Sequence, residues 1–267
     1  MQTITKARAE LLEMDTLASK ATFFHSLHPL AKLLTTCLYI LLVVSFPKYD
    51  LPGLLRMVLY PVLLFQLAEL PLTLCFYRLR MVLPLVCAVG LVNPFLDRRV
   101  VLYLGTVPVT GGIISMVTLM LKGVYSLMAS FLLMATTSMD ALCAALRKLR
   151  VPSVLVSLLL LTYRYIGVLL EQVSVMTEGY ALRAPKQKGL HISAWGSFLG
   201  QLLLRSMDLA QELYGSMTLR GFCGEFFYAD TRKFSRRDLV YCLGTAALLF
   251  FARWTNIPEL LGQLIVR

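Results

Sequence analysis

Apolar residues run along this chain in blocks, not in the alternation of a half-buried sheet, and the blocks have the length of membrane helices. A membrane-crossing helix needs about 20 mostly apolar residues. The first block, Leu30–Phe46, is interrupted only by Lys32 near one end, and a lysine there is expected to snorkel to the interface. His28-Pro29 before it suits a helix start and Pro47 after it suits a stop. A second block covers Leu54–Phe76, with Arg56 at one end, Glu69 and Pro71 near the other, and Arg78 and Arg80 following. The third, Met81–Leu96, holds Pro84 and Asn93-Pro94 and is predicted to be kinked. After Asp97-Arg98-Arg99, the β-branched residues around Gly105 and Pro108 predict a short hairpin or loop. The fourth block, Gly112–Thr137, carries Lys122 as its only charge, so that lysine should face a protein neighbour or a polar crevice.

From Asp140 to Asp238 the pattern changes to mixed charge with apolar stripes. Arg147, Lys148 and Arg150 close a short helix that Pro152 ends. A long helix is predicted from Ser153 to Arg183, apolar at first and amphipathic later. The charged break 185–189 separates it from another helix of about Ser193–Arg220, with Arg205, Asp208 and Glu212 along one face. After a basic run from Arg232 to Arg237, a fifth apolar block covers Leu239–Trp254, and Trp254 is placed like an interfacial anchor.

The expected fold is therefore an all-α membrane protein. About five transmembrane helices carry a cytoplasmic insert of three amphipathic helices between the fourth and fifth. Its divisions are a lead-in over 1–29, four spans over 30–138, the insert over 139–238, and a last span with tail over 239–267. Residues 1–22 contain Lys6, Arg8, Glu10, Glu13 and Asp15 and do not resemble a cleavable signal.

Composition agrees with lipid as the solvent. Of 267 residues, 58% are hydrophobic and 15% charged, against roughly 25% charged in a soluble domain. The net charge of +11 comes from 26 Lys and Arg against 15 Asp and Glu. Half of the basic residues lie in the insert, which places it, and with it the N-terminus, on the cytoplasmic side. Arg98 and Arg99 then fall outside, a small departure from that rule. No aromatic-plus-basic pattern for nucleic acid is present.

Little in the chain suggests chemistry of its own. The six cysteines form no CxxC pair, and the three histidines are scattered. His, Met and Cys show no compact metal-ligand spacing, and the twelve methionines read as adaptable packing. No GxxxxGK[ST] loop is present to cradle ATP. The expectation is no catalytic residue, no metal site and no cofactor held by this chain.

Two helix ends in the insert repeat one arrangement. The first reads Gly179-Tyr180-Ala181-Leu182-Arg183-Ala184 and the second Ser216-Met217-Thr218-Leu219-Arg220-Gly221-Phe222. Each places an arginine at a helix C-terminus, where its planar fork can pair bidentately with a carboxylate. The same arginines could simply complement helix dipoles.

With these ends, the chain resembles the transmembrane T component of the energy-coupling factor (ECF) transporters, a division of ABC importers, nearest to its cobalt/nickel CbiQ-like branch. The likeness extends over almost the whole chain. It runs through His28-Pro29-Leu30-Ala31-Lys32-Leu33-Leu34, Asn93-Pro94-Phe95 and Leu146-Arg147-Lys148-Leu149-Arg150-Val151-Pro152. It continues in Thr162-Tyr163-Arg164-Tyr165 with Leu169-Leu170-Glu171. The family's Ala-Arg-Gly-like ends read here as Leu182-Arg183-Ala184 and Leu219-Arg220-Gly221. The first copy lacks the glycine and neither has alanine before the arginine.

The resemblance implies a coupling subunit in the cell membrane of a bacterium or archaeon. Arg183 and Arg220 would dock in two cytoplasmic ATPase subunits that themselves bind ATP and Mg. The amphipathic helices would grip a membrane-embedded metal-binding S component that takes up cobalt or nickel ions. Tyr163, Arg164, Tyr165 and Glu171 are a candidate polar seam toward a partner, since Arg164 and Glu171 lie two turns apart on one helical face. Alternatives are a T component for a vitamin, a membrane enzyme, and a conventional permease with its own translocation path.

Overall fold

The computed structural model describes residues 9, 13–14, 16–18, 22, 24–70, 72–96, 100–104, 107–184, 189, 191–224 and 234–254. The expected lead-in, Arg98 and Arg99, Gly105, the break at 185–188, the first residues of the basic run and the tail beyond Trp254 lie wholly or mostly outside them. Among the described residues the fold is helical apart from one antiparallel ribbon. In chain order come α1 (Pro29–Val44), α2 (Leu51–Arg56), α3 (Leu59–Leu67), α4 (Leu72–Leu96), β1 (Val100–Leu104), β2 (Val107–Thr110) and α5 (Gly111–Thr136). There follow α6 (Met139–Lys148), α7 (Ser153–Arg183), a 3-10 turn at Ile192–Ala194, α8 (Trp195–Leu219) and α9 (Arg236–Trp254). The ribbon pairs Tyr103 with Pro108 and Leu104 with Val107, in the place where the sequence predicts a hairpin.

Two of these helices, α5 and α7, are long and apolar enough to cross a membrane; Pro29–Val44, Leu51–Leu67 and Val82–Pro94 are shorter apolar helices. The second predicted span is not one helix. It tightens into a turn at Met57 and Val58 between α2 and α3, and the helical run then stops at Glu69, which takes the left-handed φ of 51°. The amide of Leu70 donates to Phe65 O at 3.2 Å and that of Glu69 to Gln66 O at 3.2 Å, the paired bonds of a Schellman stop. Pro71 next in sequence disfavours helix at Leu70. The chain restarts at Leu72, so Arg78 and Arg80 lie inside α4 together with Pro84 and Pro94.

The chain divides into two compact units, one of Ala18–Thr137 with Arg232–Arg267 and one of Met1–Leu17 with Ser138–Thr231. In the first, α5 is the hub, packing against α1, α2, α3 and α4, while α9 packs on α1. Its core is aromatic. Tyr39 stacks on Tyr60 with ring centroids 4.4 Å apart, and Phe65 lies parallel to Phe131 at 6.2 Å. Gly123 lets α4 approach α5, since a Cβ there would meet Val86 Cγ1 at 2.9 Å. Asn93 Nδ2 donates to Ser115 Oγ across the same contact at 3.2 Å.

Lys32 of α1 and Lys122 of α5 are both directed at helix ends. Lys32 does not snorkel; it is 2% exposed. Its Nζ donates to Thr136 O at 2.9 Å, at the C-terminus of α5, and to His25 O at 3.3 Å. The ammonium also lies 5.2 Å from the centroid of the Phe24 ring. Reciprocally, Lys122 of α5 donates to Val44 O at 3.0 Å and Phe46 O at 2.6 Å, at the C-terminus of α1. The last carbonyls of a helix have no partner within it and carry the negative end of its dipole, so an ammonium is stabilised there. The protein neighbour expected for Lys122 is thus the end of α1.

Asp238 makes a third tie. It is buried at the start of α9, where Oδ2 accepts from Ser235 N at 2.8 Å. Oδ1 accepts from the amide of His28, the N-cap of α1, also at 2.8 Å. One carboxylate thereby serves the N-termini of two helices.

Candidate functional site

The second unit has almost no interior. Cys143, Ala144 and Ala145 of α6 pack against Val156 and Ser157 of α7, and α8 has no buried residue at all. Apolar side chains stand in the open instead: Leu158 is 63% exposed, Leu203 62% and Tyr214 65%. A water-facing helix pair of this size does not leave such a surface uncovered, so lipid or another chain must cover it.

Helices α7 and α8 meet where Arg205 Nη1 donates to Gln172 Oε1. On one side of that contact, Leu161, Tyr165 and Leu169 of α7 face Leu209, Leu213 and Met217 of α8 across an apolar groove of about 390 Å³. On the other, the C-terminal half of α7 and the N-terminal half of α8 line an open cleft of about 540 Å³ that includes Arg183 and Arg205. Arg183 lies eleven residues beyond Gln172, and Arg220 fifteen beyond Arg205. At about 1.5 Å of rise per residue, the two arginines stand ~16 and ~22 Å from the contact, toward opposite ends of the pair.

Both arginine ends are at the surface. Leu182 is 84% exposed and Leu219 90%, with Arg183, Arg220 and Gly221 exposed and Ala184 half-buried. Their stops differ, which accounts for the unequal motifs. Helix α8 closes with a Schellman motif: Phe222 N donates to Met217 O at 3.0 Å and Gly221 N to Thr218 O at 3.0 Å. That geometry requires φ of +79° at Gly221, a conformation that favours glycine. Helix α7 ends without a left-handed residue; Ala184 has φ −129°, and the Pro185 that follows suffices to stop it. The missing glycine at position 184 is a different way of stopping, not a lost feature.

The candidate seam is less sharply drawn. Tyr163 and Tyr165 are half-buried, Arg164 and Glu171 exposed, and Tyr165 lines the apolar groove. Sequence reasoning missed Asp238 and misplaced Lys32, and for Lys122 it foresaw a protein neighbour but not which, because their partners are backbone groups far away in sequence. It also missed the pairing of Arg183 with Arg205 on one cleft. Among the described residues no three His, Cys, Asp or Glu side chains converge as a metal site would need.

The sequence profile of a family described as cobalt transport protein, CbiQ, matches residues 20–228. The chain belongs to the CbiQ family. Cobalt transport protein CbiQ of Rhodobacter capsulatus is 33% identical over 103 residues, 38% of this chain and 41% of that protein. Nickel permease LarQ of Lactiplantibacillus plantarum is 30% identical over 103 residues, 39% of this chain and 38% of that protein. An uncharacterized protein of Methanocaldococcus jannaschii is 28% identical over 149 residues, 53% of this chain and 51% of that one. The chain thus spans about half or less of the length of these relatives. Membership of a transport family and two helices of spanning length together point this CbiQ-family chain to the membrane.

Proposed function

We propose that this chain is the T component of an ECF-type importer for cobalt or nickel ions, joining two cytoplasmic ABC ATPases to a membrane-embedded S component. The observation that carries this reading is the pair of exposed arginine ends, Arg183 and Arg220, held toward opposite ends of one α7–α8 pair. Two ATPases related by a two-fold axis offer two equal grooves. Two matched plugs on one helix pair suit that symmetry, and acidic residues in the grooves would take the guanidinium forks. When ATP closes the ATPase pair, the plugs move together and the angle between α7 and α8 changes.

The S component covers the apolar surface that the helices leave open. Helix α7 is long enough to span a membrane, yet Arg164, Glu171 and Glu178 are exposed along it. Each would cost about 2.5–3.5 kcal/mol at a bilayer centre, which favours α7 at the cytoplasmic surface against a partner. The seam of Tyr163, Arg164, Tyr165 and Glu171 belongs to that interface. A multi-pass arrangement of the other unit follows, with its shorter apolar helices completed by their flanks. The metal branch is preferred to a vitamin importer because of the family matched and the relatives' named ions. The metal passes as cargo of the S component.

The test is co-purification with the candidate ATPases, comparing the native chain with Arg183→Glu/Arg220→Glu. Loss of the ATPases from a membrane-inserted, folded double variant is expected. Undiminished binding and metal uptake would reduce both arginines to helix-end complements.

A further inference from the structure

We propose that Lys32 and Asp238 are positioning residues for coupling: with segment 25–32 they clasp the two roots of the α6–α8 insert, where the chain leaves the first unit and where it returns. This rests on the coupling reading and extends it to residues far from the arginine ends. The chain passes between the two compact units after Leu17, after Thr137 and after Thr231. Segment 25–32 begins eight residues after the first passage, and groups within a few residues of the other two bond to it. At the outgoing root, Lys32 Nζ donates to Thr136 O at 2.9 Å. At the returning root, the amide of His28 donates to Asp238 Oδ1 at 2.8 Å, and Asp238 Oδ2 accepts from Ser235 N at 2.8 Å. The His28 ring also lies 5.6 Å from that of Phe234. Phe24 joins the two sides: its ring lies 5.2 Å from the Lys32 ammonium and meets the Tyr241 ring edge-to-face at 5.8 Å.

Lys32, His28 and Asp238 are all buried. Burying an ammonium and a carboxylate is costly, and well-packed apolar side chains in their place are often as stable. What the charged groups add is direction. An apolar contact can slide, whereas a hydrogen bond weakens steeply as its angle closes, and a displaced partner leaves a charge buried alone. A pull that splayed the two roots would have to break such bonds on both sides. With the roots held, displacement of α7 and α8 by the ATPases passes into the first unit and is not lost in parting the end of α5 from the start of α9. Lys122 supplies an internal contrast. It makes the same kind of tie, to Val44 O and Phe46 O, but at the opposite end of α1, away from both roots.

The experiment measures cobalt ions taken up per ATP hydrolysed by the full complex in proteoliposomes. It compares the native chain with Lys32→Met, Asp238→Asn and Lys122→Met, at a temperature where thermal melts show the variants folded. The ratio is expected to fall about fivefold in Lys32→Met and in Asp238→Asn, the change in an equilibrium between clasped and parted roots when one tie is lost. Both root variants should still co-purify with the ATPases. Lys122→Met, which removes an ammonium from the other end of α1, should keep the native ratio. An unaltered ratio in a folded root variant, or an equal fall in Lys122→Met, would overturn the clasp and leave the ties as stability alone. Loss of the ATPases from the root variants would overturn it as well, as a defect of assembly. Should one root variant fail to fold, the other decides. Failure of the coupling reading is read separately, in an Arg183→Glu/Arg220→Glu chain that keeps its ATPases.

Discussion

Replacing Lys32 with methionine tests how a buried ammonium is accommodated in the α1–α5 pair. Methionine keeps the length and approximate volume, so packing changes little. What is lost is the pair of bonds to Thr136 O and His25 O, at 2.9 and 3.3 Å, together with the ammonium's position over the Phe24 ring. Hydrogen bonds to a charged group contribute about 1.5–3 kcal/mol each, so the gross loss is about 3–6 kcal/mol. Against it stands the desolvation of a buried ammonium, several kcal/mol, which the variant no longer bears. The carbonyl of Thr136 sits at a helix end and has no second partner among the described residues, so the balance still favours lysine. The expected net loss is at most about 3 kcal/mol, which for a chain of this size lowers the melting temperature by no more than roughly 6–12 °C. Thermal unfolding of the detergent-purified chain measures it. A Lys32→Met protein that melts at or above the native temperature would show that desolvation wins and that the lysine is kept for another reason.

Three further outcomes follow from single sites. Asp238→Asn retains the shape but sets an amide NH2 against one of its two backbone donors, so a loss of about 2–3 kcal/mol is expected in the same melt; a change under 0.5 kcal/mol would refute the double cap. Gly221→Ala meets no neighbouring atom within 4 Å and costs only the left-handed φ, about 1–2 kcal/mol. Hydrogen exchange in the last turn of α8 should then rise about 5–30-fold, while Ala184→Gly leaves the end of α7 unchanged; equal behaviour of the two ends would count against their different stops. Burial, with Asp140 adding to it, pushes the Cys143 thiol up from its ordinary value, whereas Cys223 is exposed beside the second arginine end. Maleimide should modify Cys223 first and Cys143 only after unfolding, and bound ATPases should slow Cys223; modification of both at one rate would contradict the packing of α6 on α7.

Much of the helical layout was legible in local pattern. Pro152 and Pro185 bracket α7, whose limits, Ser153–Arg183, emerge as read, because prolines and charge breaks act on their own neighbours. The second span misled because hydropathy is blind to a backbone reversal. Glu69 is one polar residue in an apolar run, and nothing in its type announces a left-handed stop. Lys32 misled for a related reason. A lysine near a membrane boundary can reach water or a helix end, and only the fold brings the end of α5 within reach. The arginine ends were visible, but the reason one carries Gly221 and the other Ala184 is stereochemical and needs φ. Asp238 lies 210 residues from His28, a pairing that no local pattern encodes.

The lysine ties also bear on how the chain is made. Lys32 is synthesised 104 residues before Thr136, the carbonyl that receives it. Until α5 has been delivered to the membrane, α1 carries an ammonium with no acceptor from that helix and cannot take its final depth at low cost. The first hydrophobic segment therefore has to wait at the bilayer surface or in the shelter of the insertion machinery, and α5 completes it on arrival. Assembly order is in this way written into one buried cation, and shortening the translated chain before residue 136 should leave α1 loosely held and open to proteolysis.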